Sequence, residues 1–276
     1  MDETARILAE AARLLEITPR QAEPLAGGDL SPVLALDLPT GERVIAKGGP
    51  HPEIEAEMLR ALAEAGARVP KVIAASGVCL AMEALPQGGG LRGAGWLELG
   101  ETLRRQHRAP GAPDEAPYGW PDDYAFGPVP IPNAARPTWP EFWAEARLRP
   151  SLPALPVPLA RRVETLAAQI DEHLPPRPFP SLLHGDLWAG NVLADQGHLS
   201  GLIDPACYYG DGEVDLAMLH LFGAPGSEFA AGYGELEPGW QARRAIYQLW
   251  PALVHLRLFG SGYHGMVAGL LDRIGV

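Results

Sequence analysis

The most constraining feature of the sequence is a change of hydrophobic pattern near residue 86. Before it, short apolar runs predict strands around Pro24-Leu25 and at residues 32–38, 43–47, 69–74 and 78–84, with amphipathic helices at 4–17 and 52–65. After it, helical spacing dominates at residues 96–107, 140–148, 159–173, 213–221 and 241–259. The glycine-rich residues 86–90 interrupt both patterns. We predict an α+β fold with a small antiparallel-sheet lobe over residues 1–85 and a mainly helical lobe over residues 86–276.

Composition narrows the class of protein. The 276 residues are 47% hydrophobic and 20% charged, which is typical of a globular chain. The net charge of -12 argues against nucleic acid as a partner, because phosphate binding needs clustered cations. No apolar run is long enough to span a bilayer, and Met1-Asp2-Glu3 is acidic where a secretory signal is basic. We therefore expect a cytoplasmic protein without membrane contact, and Cys79 and Cys207 offer no disulfide framework or zinc motif.

One polar cluster has the spacing of phosphoryl-transfer chemistry. Asp186 and Asn191 stand five residues apart, and Asp204 follows a hydrophobic Leu-Ile pair. In the kinase catalytic loop such an Asp accepts the proton of the attacking hydroxyl, and such an Asn binds metal. Residues 192–195 and 198–203 predict a β-hairpin, which would bring Asn191 and Asp204 together. The cluster predicts Asp186 as catalytic base, and Asn191 and Asp204 as ligands of a divalent ion.

Two elements of the predicted first lobe suit the binding of a triphosphate. Lys47 ends a strand and Glu55 lies in the next helix, as in kinases where a helix glutamate steers the lysine that holds the α- and β-phosphates. Glu57 should face away from Glu55 on that helix. Gly27 and Gly28 lie in a turn that could present backbone N–H groups to phosphates, although an ordinary hairpin turn fits them equally.

The chain resembles the fructosamine kinase (ketosamine 3-kinase) family, which is related to the aminoglycoside phosphotransferases. The most specific stretch is HGDLWAGNVL at residues 184–193, followed by IDPACYYGDGEVDLAM at residues 203–218. Residues 118–127 and 139–148 are also similar to the family's middle region. The resemblance covers nearly the whole chain and implies a protein-kinase-like, two-lobed fold.

The resemblance also implies a reaction. ATP and Mg²⁺ would be cosubstrate and metal, and the acceptor would be a hydroxyl of a ketosamine, a sugar joined to an amine by glycation. The resulting 3-phosphates decompose and free the amine, so the implied role is deglycation, with a small sugar-amine or a glycated protein as the substrate. Asp186 would be the base, Asn191 and Asp204 the metal ligands, Lys47 the phosphate anchor and Glu55 its partner. Met82 and Glu83 fall where the hinge backbone would meet adenine.

The acceptor site is less defined by the sequence. Trp188 either stacks on the sugar or braces the loop as a core residue. Asp215 is a second candidate at the acceptor, although it could instead cap its helix or fix the catalytic loop. We expect the aromatic segment 118–143 to wall the acceptor together with Trp188. His184 is expected to form structural hydrogen bonds.

Three alternatives stay open at this point. The same fold could phosphorylate an aminoglycoside, choline or another small alcohol. A pseudokinase that only binds nucleotide is a second reading, but such proteins commonly lack groups that are present here, namely Lys47, Asp186, Asn191 and Asp204. A protein kinase is a third, and neither DFG nor APE follows Asp204. The sugar, the amine and the oligomeric state are left open.

Overall fold

The first part of the chain is a five-stranded sheet with two helices. The computed structural model describes residues 2–25 and 31–276. The elements up to residue 83 are α1 (Glu3–Leu15), β1 (Gln21–Pro24), β2 (Val33–Asp37), β3 (Arg43–Lys47), α2 (Pro52–Glu64), β4 (Val72–Ala75) and β5 (Leu80–Glu83). The strand order is β1-β2-β3-β5-β4, and every neighbouring pair is antiparallel. The predicted strands and both predicted helices are therefore confirmed.

The two faces of this sheet bury different helices. Successive side chains of a strand point to opposite faces. Leu34 and Leu36 of β2 accordingly pack with Ile7 of α1, whereas Leu80 and Met82 of β5 belong to the cluster that includes Leu59 of α2. This arrangement holds β3 and α2 together, and Lys47 and Glu55 lie on those two elements.

The remainder of the chain is mainly helical. Its α-helices are α3 (Ala94–Arg108), α4 (Trp139–Phe142), α5 (Val157–Ala168), α6 (Glu213–Leu219), α7 (Glu228–Tyr233), α8 (Trp240–Phe259) and α9 (His264–Ile274). A π-helix (Trp143–Leu148) and 3₁₀ turns (Arg149–Ala154, Ile170–Glu172, Ala189–Asn191, Gly260–Tyr263) connect some of them. Its strands are β6 (Tyr124–Phe126), β7 (Val129–Ile131), β8 (Ser181–Leu183), β9 (Val192–Asp195), β10 (His198–Leu202) and β11 (Tyr208–Gly210). The patterns did not predict α7, α9, β6, β7, β8 or β11.

Three small strand pairs shape this second part. The pair β9–β10 is the predicted hairpin, and a backbone hydrogen bond from Ile203 N to Asn191 O (3.0 Å) closes its base. The pair β8–β11 flanks residues 184–207, and the pair β6–β7 lies within the segment that showed little periodicity. The sheet of the first part ends at Glu83 and α3 begins at Ala94, and we propose residues 85 and 86 as the boundary between the two lobes.

The largest core lies in the second part. Trp139, Phe142 and Trp143 are fully buried in it, together with Tyr208 and Tyr247. The Trp139 indole donates a hydrogen bond to the Tyr247 hydroxyl at 3.0 Å. Within residues 2–25 and 31–276, no helix has the length and apolarity required to cross a bilayer.

Candidate active site

The loop between β8 and β9 carries the polar motif and folds tightly. Gly185 has φ +80°, and a Cβ there would lie 2.0 Å from the carbonyl oxygen of Ala206. Only glycine allows both this backbone conformation and this approach. The backbone N–H of Ala206 donates to His184 O at 2.8 Å. The loop is thereby fixed against the segment that follows Asp204.

His184 bonds inside the loop and is fully buried. Its Nδ1 lies 3.3 Å from the backbone nitrogen of Asp186, and a backbone N–H can only donate. The proton is therefore on Nε2, which donates to Ile203 O at 3.0 Å. Burial lowers the pKa of His184, so the ring is neutral. These contacts are structural, as the sequence predicted.

Asp215 lies behind the loop and away from the cavity. Its side chain is fully buried, and its two oxygens accept the backbone N–H groups of His184 (2.7 Å) and Gly185 (2.9 Å). His107 Nε2 lies 3.1 Å from the same carboxylate. Burial opposes the charge, but the hydrogen bond from His107 and the nearby loop N–H groups lower the pKa of Asp215. Asp215 is fully buried and absent from the cavity lining, which favours its other predicted role of fixing the catalytic loop, and an acceptor contact at Asp215 stays a prediction.

Asp186 and Asn191 form a direct pair. The Asn191 amide nitrogen donates to the backbone oxygen of Asp186 at 2.8 Å and to its Oδ2 at 3.0 Å. Burial raises the pKa of Asp186 to about 7, and the Asn191 hydrogen bond acts in the opposite direction. A divalent cation next to this pair would favour the ionised carboxylate. Asn191 thus orients the group that was predicted to be the base.

Lys47 connects the two parts of the chain. Its Nζ lies 2.7 and 2.8 Å from the two oxygens of Glu55 and 2.9 Å from Oδ1 of Asp204. Burial alone would lower the pKa of Lys47, but the carboxylates of Glu55 and Asp204 raise it, so the lysine stays charged. Glu57 is exposed on the other side of α2, as predicted. The Tyr124 hydroxyl completes the cluster with a hydrogen bond to Glu55 Oε2 at 3.2 Å.

The oxygens of Asn191 and Asp204 fit a magnesium ion that also binds a triphosphate. Asp204 uses Oδ1 for Lys47, and no described residue donates to its Oδ2 or to Asn191 Oδ1. Mg²⁺ commonly takes one or two protein oxygens and completes its shell with phosphates and water. No cluster of three or more His, Cys, Asp or Glu residues suited to a metal exists in the described part of the chain. The donors present thus match a nucleotide-linked ion.

A cavity of about 560 Å³ brings these residues together. Among the described residues, its charged side chains are Lys47, Asp186 and Asp204, which lie close together with Asn191. We call this group the inner end of the cavity, because Lys47 and Asn191 are buried. The rest of its lining consists of Ser31, Pro50, Tyr124, Ala125, Phe126, Gly127, Gly185, Trp188, Phe222, Trp250, Pro251, Val254, His255, Leu258, Phe259 and Tyr263. The cavity therefore has a charged inner end and an aromatic outer part.

Among the described residues, the other predicted site residues lie outside this lining. Glu55 is buried behind Lys47. Met82 pairs with Ile45 of β3, and Glu83 ends β5. Gly27 and Gly28 lie outside the described residues. An adenine site at Met82 and Glu83 stays a prediction.

Trp188 lies at the cavity wall with 41% of its surface exposed. Its ring packs over Gly190, where a Cβ would be 2.4 Å from the indole. The exposed ring favours a contact surface over a core brace. The prediction for the 118–143 segment is largely wrong, because only residues 124–127 of it line the cavity and Tyr118 and Trp143 are buried in the core.

The sequence did not reveal the residues that form the outer wall. Trp250, His255 and Phe259 project from α8, and Tyr263 lies in the 3₁₀ turn after it. Eleven residues of α8 are buried around most of its circumference. A helix that is apolar on nearly all sides has no periodic signal that marks one face as the wall of a site.

Comparisons with known proteins agree with this geometry. The sequence matches the fructosamine kinase family over residues 5–275. A probable ketoamine kinase of Synechocystis is 38% identical over 64% of this chain, and the match spans 61% of that protein's length. A probable ketoamine kinase of Lactiplantibacillus plantarum is 32% identical over 92% of this chain and 93% of its own.

Solved structures give the same result. A putative fructosamine-3-kinase from Thermobifida fusca superposes with a TM-score of 0.87 at 31% identity, covering 97% of this chain and 98% of its own. An aminoglycoside phosphotransferase shares the fold at 16% identity, with a TM-score of 0.66 over 97% of each chain. The predicted kinase-like fold is thereby confirmed, and the chain belongs to the fructosamine kinase family.

Proposed function

We propose that this protein transfers the γ-phosphoryl group of ATP to a sugar hydroxyl of a ketosamine. The observation that carries the proposal is the convergence of Lys47, Asp186, Asn191 and Asp204 at the inner end of one cavity, whose outer part is open and aromatic. Phosphoryl transfer needs positioned charges for the phosphates, an oriented acceptor for the hydroxyl proton and a site for the acceptor molecule. The cavity contains groups suited to each of these tasks.

Lys47 and the two metal ligands would bind the phosphates of ATP. Glu55 holds the Lys47 ammonium at 2.7 Å, so the cation is oriented before any ligand binds. Asn191 Oδ1 and Asp204 Oδ2 would hold Mg²⁺, which neutralises charge on the β- and γ-phosphates when it is bound. Met82 and Glu83 for adenine, and Gly27 and Gly28 for phosphate contacts, belong to the same proposal.

Asp186 would accept the proton of the attacking sugar hydroxyl. Its carboxylate lines the cavity, and the Asn191 amide fixes its orientation from the side at 3.0 Å. A base held in this way accepts the hydroxyl proton as the bond to phosphorus forms. Asp215 and His184 contribute indirectly, because they fix the backbone that carries Asp186.

The relatives support a ketosamine as the acceptor, since those described above are called ketoamine kinases. Trp188 offers an exposed ring two residues from the base, where the apolar face of a sugar can stack. A ketosamine 3-phosphate would then decompose to release the amine, which gives a deglycation role. Cys79 and Cys207 are buried and free, which supports a reducing compartment such as the cytoplasm.

An ATP-consumption assay over a panel of acceptors tests the proposal. The panel contains fructosamines, ribulosamines, erythrulosamines, aminoglycosides and choline, and we expect turnover with at least one ketosamine. Asp186→Asn should lower kcat by roughly 10²-fold or more with little change in ATP affinity. Asp171→Asn is the matched control, because Asp171 is exposed on a 3₁₀ turn away from the cavity.

Other results would contradict it. Turnover limited to aminoglycosides or choline would reject the proposal that the acceptor is a ketosamine. ATP binding without turnover on any acceptor would indicate a nucleotide-binding pseudokinase. Full activity of Asp186→Asn would assign the base to another residue.

A further inference from the structure

Five aromatic rings form a continuous row along the outer cavity. Trp188 lies 6.3 Å from Phe222, Phe222 lies 5.1 Å from His255, and His255 lies 5.6 Å from Phe259 and 5.2 Å from Tyr263, all measured between ring centroids. All five line the same cavity. The row begins two residues after Asp186 and ends at the 3₁₀ turn that follows α8. A ligand bound next to Asp186 could therefore extend along this row of rings.

This row contains an unusual share of the chain's exposed apolar surface. Among the described residues, six large hydrophobic side chains are exposed, and three of them are Trp188, Phe222 (44%) and Phe259 (51%). Scattered exposed hydrophobic residues are ordinary in soluble proteins, whereas a contiguous group beside a site marks a contact surface. The row is thus a candidate surface for binding the part of the substrate that extends out of the inner end.

The surface of the row beyond Trp188 is mainly apolar and uncharged. In the described part of the cavity, the charged side chains are Lys47, Asp186 and Asp204, and they lie at the inner end. His255 Nδ1 lies 2.8 Å from Pro251 O, and a carbonyl only accepts, so Nδ1 donates to it. Burial lowers the pKa of His255, which keeps the ring neutral. Apart from the Tyr263 hydroxyl, the Trp188 indole N–H and His255 Nε2, the row therefore offers apolar and aromatic contact.

We propose that the part of this row beyond Trp188, from Phe222 to Tyr263, binds the substituent on the nitrogen of the ketosamine and selects apolar alkyl or aryl groups there, while Trp188 keeps the sugar. The inference rests on the proposed function. In a ketosamine phosphorylated on its 3-hydroxyl, the nitrogen is attached at carbon 1, two carbons from the carbon that reacts. The sugar's hydroxylated tail leaves the reacting carbon on the other side and needs a polar partner for each hydroxyl, whereas the row offers few polar atoms, those of Trp188, His255 and Tyr263. The nitrogen substituent is the part of the substrate that matches the row.

A substrate series with one sugar and several amines tests the subsite. Fructosamines made from methylamine, n-butylamine, n-octylamine and the charged amine taurine are compared on the wild-type protein. Covering an alkyl chain with aromatic surface should lower KM on the order of tenfold from methyl to butyl, because each methylene leaves water. We expect a further fall for octyl, a high KM for taurine and a nearly constant kcat.

Single substitutions along the row locate the contact. Phe222→Ala should raise KM about tenfold for the butyl and octyl substrates, and Phe259→Ala should do so for octyl alone, since Phe259 lies farther from the base. The methyl substrate should change less than twofold in both. Phe179→Ala is the matched control, because Phe179 is also exposed but lines a separate cavity. Thermal melting of the variants should stay near wild type, since both rings are largely exposed.

The outcomes separate this inference from the proposed function. Turnover of all four substrates with similar KM, or equal losses for every amine in Phe222→Ala, would reject the subsite and leave the kinase activity standing. An absence of turnover with every ketosamine would reject both. A KM that falls with chain length but is unaffected by either substitution would also reject the row as the binding surface.

Discussion

Lys47 and Arg147 are both buried cations, but they are held by opposite means. Lys47 meets two carboxylates, Glu55 and Asp204, and lies on the cavity wall. Arg147, on the π-helix, is fully buried, and its guanidinium donates to Pro132 O (2.7 Å), Ala146 O (3.1 Å) and Asn133 Oδ1 (2.8 Å). It also lies over three aromatic rings, those of Phe142 (4.6 Å), Tyr208 (4.0 Å) and Trp250 (4.7 Å).

The pKa directions express the same difference. The carboxylates raise the pKa of Lys47, whereas burial without a carboxylate in direct contact lowers the pKa of Arg147. Lys47 can transfer part of its contact from Asp204 to the phosphates of a ligand, because both are anions at the same cavity. Arg147 has neutral partners in a closed core and no such exchange. Lys47, whose partners are anionic and which lies at a cavity, is thus suited to bind a ligand. Arg147, whose partners are neutral and buried, is suited to stabilise the fold.

The largest effect should come from Lys47→Met. The loss of the ammonium leaves Glu55 and Asp204 without their common cation and removes the proposed contact to the phosphates. We expect kcat/KM for ATP to fall roughly 10²- to 10³-fold, as for other positioned donors in active sites. The chain contains two lysines, so Lys71→Met, at an exposed position, is the matched control. Steady-state kinetics measure both variants. If Lys47→Met kept wild-type activity, Lys47 would not serve the reaction and its contrast with Arg147 would fail.

Arg147→Met should act on stability instead. Two backbone carbonyls and Asn133 Oδ1 would lose their donor inside the core, and we expect the free energy of unfolding to fall by about 3 kcal/mol. The KM for ATP should stay near wild type. Arg149→Met, two residues along, removes partly exposed ion pairs with Glu145 and Glu164 and should cost below about 1 kcal/mol. Urea unfolding measures both free energies. Equal losses would show that the buried hydrogen bonds and ring contacts of Arg147 stabilise the fold no more than a partly exposed ion pair does.

Asp215→Asn tests a buried charge of the opposite sign. An amide oxygen can replace one carboxylate oxygen toward the backbone N–H groups of His184 and Gly185, but the second position becomes an NH₂ group. We expect a loss of about 2 kcal/mol in transition-state stabilisation, seen as a lower kcat with an unchanged KM for ATP. A parallel change of both constants would indicate general disruption of the fold.

The smallest effect should come from Tyr124→Phe. It removes the hydrogen bond to Glu55 and should cost about 1 kcal/mol. Tyr118→Phe is the matched control, since it loses the hydrogen bond to Pro178 O far along the chain from Glu55. Both variants should lose similar stability, but only Tyr124→Phe should raise the KM for ATP. If the two variants behave alike in kinetics, Tyr124 does not support Lys47 through Glu55.

The sequence predicted the residues whose roles depend on local spacing. Asp186 and Asn191 lie on one loop, and Asp204 follows the hairpin that starts at Asn191, so their proximity follows from short-range structure. The Lys47 and Glu55 pair also follows from one strand and the next helix. The predicted hairpin and the lysine-glutamate contact are present in the structure.

The sequence could not predict contacts set by long-range packing. Arg147 lies in a stretch with helical spacing, where arginine is ordinarily exposed, and only the packing of Tyr208 and Trp250 around it makes its burial possible. Aromatic content alone also failed to separate Trp143, which is in the core, from Phe259, which faces the cavity. Which side of a helix meets which neighbour depends on residues that are distant in the chain.

The Tyr124 hydrogen bond has a consequence for how the two substrates influence each other. Tyr124 belongs to the β6–β7 hairpin, whose residues 124–127 line the cavity, and Glu55 belongs to the helix that holds Lys47. An acceptor that presses on the hairpin and favours this contact also favours the oriented lysine, and so tightens nucleotide binding. Thermodynamic linkage requires the reverse effect to be equal, so bound nucleotide tightens acceptor binding by the same factor.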